Sequence, residues 1–156
     1  MAHPLKHKIT LIFGRICAGK AYYIGDRNKI VVSDIVREIV KASDRSSLQN
    51  SMQFDIEIAD KLIHEIVLDY GVRHNLETFV DGIRQVSIIE RVLQVFPEAE
   101  LVWIEAPVEV RKARYESRKD AKDIIPFEEA DNKPIELECQ EIYNIFKENL
   151  QIINNY

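Results

Sequence analysis

The chain has little of several things. Its 156 residues include two cysteines, five glycines, five prolines and one tryptophan. No apolar run approaches the roughly 20 residues needed to cross a bilayer, so no membrane partner is expected. Cys17 and Cys139 stand far apart, with neither a disulfide framework nor a metal-ligand spacing, and are read as free thiols in a reducing cytoplasm. There is no internal repeat, low-complexity segment or Pro/Gly-rich linker, so one domain is expected over 1–156. The opening "MAHPLKHKIT" has no apolar core behind its charges. It reads as neither signal nor anchor, with residues 1–7 lying loosely before the first strand. Positive charge is also short: the net charge is -5. That argues against a protein that coats nucleic acid non-specifically, because such binding rests on neutralising phosphates. A local basic cleft remains open, since cations cluster at Arg37, Lys41 and Arg45 and from Arg111 to Lys122.

What is present is alternation. Ile9 to Phe13, "KIVVSD", "ETFVDG" and "AELVWIEAP" are short apolar runs that read as strands buried on both faces, and "QIINNY" could add a fifth. Between them the period becomes helical, with Ile58, Leu62, Ile66 and Tyr70 on one face and Ile89, Val92 and Phe96 on another. A last helix is expected from Ile135 to Leu150. Connections too long for hairpins call for an α/β fold, a five-stranded parallel sheet sandwiched by helices.

The residues with chemistry fall after the strands. Gly14, Arg15, Ile16, Cys17, Ala18, Gly19, Lys20 and Ala21 follow the first strand and open a helix. Two glycines and a lysine at this spacing suit a phosphate: backbone N–H groups converge on the anion and Lys20 reaches the outer oxygens. Ala21 stands where a magnesium-binding Ser or Thr is common, so that ion would rely on water, the triphosphate and a carboxylate. Asp34 is expected to end the second strand, with Arg37 one turn on, which places a carboxylate able to orient a hydroxyl beside the loop. A plain N-cap is the competing reading of Asp34. Asp81 and Arg84 lie in "FVDGIRQ", while Arg111, Arg114 and Arg118 recur at helical spacing along one face. Trp103 reads as core, and the four histidines form no ligand pattern.

These motifs together resemble a small P-loop kinase. "GKAY" is similar to the Gly-Lys-Gly-Thr of nucleoside-monophosphate kinases, with Tyr22 departing at the hydroxyl position, and the Asp-x-x-Arg of "VSDIVRE" is similar to that of phage-type polynucleotide kinases. More narrowly, "GRICAGK", "SDIVREI" and "GIRQVS" look like the phage kinases that phosphorylate 5-hydroxymethyluracil in DNA. The resemblance implies a P-loop NTPase fold with a short lid near Lys119 to Ile125, and ATP and Mg2+ as cofactors. It implies a modified pyrimidine in DNA as acceptor, flipped out or single-stranded. Residues 14–21 would cradle ATP, Lys20 would stabilise the transferring group, and Asp34 would position or deprotonate the alcohol. Asp81 would support magnesium through water, Arg37 and Arg84 would hold acceptor or phosphate, and Arg114 and Arg118 would close from the lid. Two alternatives stay open: a kinase of free nucleoside monophosphates, and a catalytically weakened nucleotide-binding module.

Overall fold

The alternation of periods is realised as an α/β fold. The computed structural model describes residues 7–42, 51–118 and 125–155. Its strands are β1 (Lys8–Phe13), β2 (Lys29–Val31), β3 (Glu77–Asp81), β4 (Glu100–Glu105) and β5 (Leu150–Asn154). They form one five-stranded sheet in the order β2-β3-β1-β4-β5, and every pairing is parallel. The helices are α1 (Lys20–Ile24), α2 (Val32–Ala42), α3 (Ser51–Gly71), α4 (Val86–Val95), α5 (Val108–Arg118), α6 (Phe127–Asp131) and α7 (Pro134–Phe146). No helix among the described residues is long and apolar enough to cross a membrane.

The central strand shows why both sheet faces must be covered. Side chains alternate along a strand, so Ile9, Leu11 and Phe13 enter one cluster, with Ile35 and Ile39 of α2, Leu62 and Ile66 of α3 and Ile142 of α7. Ile12 enters the other, with Ile24, Phe79, Val102 and Ile104. Trp103 is buried in the first cluster, as expected, and its indole N–H donates to Glu105 Oε2 at 2.6 Å. A smaller cluster of Tyr115, Phe127 and Ala130 joins α5 to α6 and touches Ile16 and Cys17.

Two expected boundaries are corrected. "KIVVSD" is not a six-residue strand: β2 stops at Val31 and the chain turns directly into α2. Val32, Ile35 and Ile39 are all buried, so the spacing of three and four that packs a helix on the sheet prevails over local β propensity. The last helix ends at Phe146, a 3-10 turn covers Lys147–Asn149, and Leu150 opens β5 opposite Leu101.

At the opposite edge of β3 from its carboxyl end, Asp69 of α3 is a buried carboxylate. It accepts hydrogen bonds from Asn28 (2.5 Å), Asn75 (2.7 Å) and the Thr78 hydroxyl. Burial alone would raise its pKa, but these hydrogen bonds and the charge of Arg73 outweigh it and hold the group below its ordinary 3.8. His7, stacked on Tyr70 and hydrogen-bonded to Thr78, is lowered from 6.5 by burial, against the opposing pull of Asp69. Both shifts have the same consequence on acidification. The unfolded chain takes up His7's proton from about pH 6.5 downward and Asp69's from about pH 4, before the folded chain does. Stability is therefore expected to fall in two steps as pH drops. Urea melts of wild type and His7→Gln between pH 7 and 3 check this: the variant should lose the upper step only.

Candidate functional site

In an open parallel sheet, ligands meet the crevice at the carboxyl ends of the strands. Here β1 pairs with β3 on one side and β4 on the other, and Ile12 lies opposite Asp81 and Phe13 opposite Trp103. The loop of residues 14–19 leaves β1 at that edge. Gly14 is required by a close approach: a Cβ there would stand 2.9 Å from the Ile104 carbonyl of β4. Gly19 is required by conformation, with φ 99°, and a Cβ there would also collide with Asn155. Cys17 is left-handed as well, at φ 61°. Left-handed residues interspersed in a turn are the backbone of anion-binding nests.

The loop is followed by a helix, as expected, but α1 has only five residues. Its dipole is correspondingly small, so the charge of the site comes from Lys20. The Lys20 ammonium lies 3.1 Å from Asp81 Oδ1, with each side chain less than one-fifth exposed. Two residues that are 61 positions apart are thereby joined at the mouth of the loop.

The loop is held from behind by α5, α6, α7 and the end of β5. Arg111 is buried and donates through Nη1 to Asp131 Oδ1 at 2.6 Å, and Arg15 Nη2 is 3.1 Å from the same oxygen. Arg114 donates through Nη1 to the carbonyls of Cys17 and Ala18, each at 3.1 Å, and through Nη2 to Asn155 O at 2.9 Å. Cys139 of α7 donates its thiol hydrogen to Gly14 O at 3.4 Å. Burial raises the Cys139 pKa, with Lys20 acting in the other direction, so the thiol stays protonated and serves as a donor.

The expected site residues therefore divide. Residues 14–20, Asp81 and Arg114 are brought together. Asp34 does not end a strand: it is in the first turn of α2, two-thirds exposed, and pairs with Arg37 at 2.9 Å on the same helix. Arg84 turns to the buried Glu136 of α7, with Nη1 3.4 Å from Oε1. The arginine face of α5 is not one uniform ladder, because Arg111 is buried, Arg114 grips the loop and Arg118 lies over the Tyr115 ring at 5.1 Å. Arg114 thus points at loop carbonyls instead of closing from a lid. Ala21 is exposed and brings no hydroxyl, and the segment expected as a short lid, Lys119 to Ile125, lies outside the described residues except for Ile125. Sequence reasoning missed Asp131 and Glu136. Each is one acid among 26, with no motif around it to mark it as the partner of a distant arginine.

Neither a search of protein-family models nor one of curated proteins finds a match for this chain.

Proposed function

We propose that the chain is an ATP-dependent phosphotransferase of the P-loop kinase type, whose acceptor is the 5-hydroxymethyl group of 5-hydroxymethyluracil in DNA. The observation that carries the reading is Lys20 paired with Asp81 at 3.1 Å beside a loop that admits no Cβ at Gly14 or Gly19. These residues suit a triphosphate. The loop supplies close backbone approach, and Lys20 supplies a charge that can exchange its carboxylate for phosphate oxygens. They suit magnesium through Asp81, whose Oδ1 is buried and has Lys20 as its ionic partner, while Ala21 contributes nothing to that ion. ATP and Mg2+, when bound, supply the phosphoryl group and neutralise its charge.

On this reading Lys20 stabilises charge as the phosphoryl group transfers, and Arg118 is assigned the approach from the solvent end of α5. Asp34 and Arg37, paired with each other on the exposed face of α2, are assigned to the acceptor, the first to orient its hydroxyl and the second to hold phosphate. Their exposure is compatible with a polymeric acceptor, since a DNA strand can reach a pair on the outer face of a helix. Arg84, paired with Glu136, is assigned to acceptor or phosphate, for which it would have to exchange that carboxylate.

Transfer of labelled γ-phosphate tests this with a panel of hydroxymethyluracil DNA, thymine DNA, a 5′-hydroxyl oligonucleotide and free nucleoside monophosphates. Label on the hydroxymethyl DNA alone is the expected result. Label on free monophosphates alone would keep the phosphotransferase and replace the acceptor, and ATP binding with no transfer to any acceptor would leave a binding module.

A further inference from the structure

The end of β5 reaches the loop. Asn155 continues the sheet with its main chain, donating its N–H to Glu105 O at 2.8 Å, and then turns its side chain onto the loop, where Nδ2 donates to Ala18 O at 3.0 Å. The same Ala18 carbonyl accepts from Arg114 Nη1, and Arg114 Nη2 closes the set on Asn155 O. Two donors from two distant elements therefore converge on one loop carbonyl. The contact is close enough that a Cβ on Gly19 would stand 1.9 Å from Asn155 Nδ2.

The consequence follows from peptide geometry. The 18–19 peptide is trans, so its C=O and N–H point in opposite directions. Fixing the Ala18 carbonyl on Arg114 and Asn155 turns the Gly19 N–H away from them. The preceding amide is already occupied, because Ala18 N–H closes a turn onto Arg15 O at 3.0 Å. The Gly19 amide is thus the loop donor whose direction this clamp decides.

We infer that Asn155, acting with Arg114, is a positioning residue of the phosphate loop: it holds the 18–19 peptide in the orientation in which Gly19 N–H meets a polyphosphate. This rests on the phosphotransferase reading of the same loop. It gives Arg114 a role behind the loop, and it gives the last strand a part in nucleotide binding that no loop motif predicts. Asn155 touches no reacting atom and works through the backbone of residues 17–19.

The test compares wild type with Asn155→Ala, Asn155→Asp and Asn155→Gln, using inorganic pyrophosphate, ATP and adenosine as probes in calorimetric titrations. Asn155→Ala removes one hydrogen bond and is expected to weaken pyrophosphate and ATP by roughly fivefold, with adenosine unchanged. Asn155→Asp replaces a donor by a negative charge beside the loop and should weaken both by roughly tenfold or more. Asn155→Gln keeps the amide and should recover part of the loss. Hydrogen exchange adds a readout that general destabilisation would not mimic: amides 15–20 should exchange faster in Asn155→Ala while those of β1, β3 and β4 keep their protection. Pyrophosphate bound equally well by wild type and Asn155→Ala would overturn the inference and leave the phosphate site standing. Wild-type protein that binds neither pyrophosphate nor ATP would overturn the phosphate site and this inference with it.

Discussion

Lys20→Ala is expected to reduce the proposed phosphoryl transfer by roughly 100- to 1,000-fold, the scale on which removing one charge-stabilising group slows an enzyme. The ammonium is mostly buried and paired with an oxyanion, the Asp81 carboxylate, which phosphate oxygens would replace as its partner. The same pairing complicates the single variant, because removing Lys20 leaves a largely buried carboxylate without its cation, and stability should fall as well. The double variant Lys20→Ala/Asp81→Asn isolates the stability effect: it removes the stranded charge, so the melting temperature should return toward wild type, and with the proposed magnesium carboxylate gone as well, transfer should stay low. Transfer by Lys20→Ala within tenfold of wild type would sink the proposed role of this residue.

The second large effect concerns stability. Asp131→Ala is expected to cost about 3–5 kcal/mol, because Arg111 then keeps a buried guanidinium without its carboxylate and Arg15 loses the same partner. For a chain of this length that corresponds to a melting temperature lower by roughly 10 °C. Removing both sides of the pair should be milder. In Arg111→Met/Asp131→Leu the buried pair is replaced by apolar volume beside Phe127, which already packs under Arg111 at 5.5 Å, and Arg15 keeps the backbone carbonyl of residue 131 as an acceptor. Much of the loss is therefore expected to be recovered. Thermal melts of the single and double variants decide the matter: a single variant within 1 kcal/mol of wild type would show that the triad does not hold α6 against the loop.

Much of the architecture was legible because it follows from period and length. Ile9 to Phe13, "ETFVD" and "ELVWIE" are apolar runs too short for helices and bounded by polar residues, and each is a strand. Trp103 could be placed in the core from its neighbours alone. The second strand was over-read for a physical reason: Val31 and Val32 favour extended backbone, and only the packing of Val32, Ile35 and Ile39 against β1 and α3 shows the helix beginning at Val32. The end of the last helix is hidden in the same way, since nothing local marks Leu150 as the residue that pairs with Leu101.

For the candidate site, the amino-acid sequence by itself determined the covalently local part. Two glycines and a lysine after a buried strand require a tight loop opening a helix, and five alternating strands with long connections require a parallel sheet whose carboxyl ends gather that loop and Asp81. The tertiary structure alone decided which way the arginines turn. An arginine's spacing on a helix specifies its face but not its partner, and the partners here are 20 residues away for Arg111, 52 for Arg84 and 97 for the Arg114 contact with Cys17. A guanidinium that the fold buries wholly, as Arg111, or in part, as Arg84 and Arg114, must find acceptors wherever the fold brings them. In this chain those acceptors are a carboxylate on α6, a carboxylate on α7 and the loop's own carbonyls, and no stretch of sequence contains both members of any of these pairs.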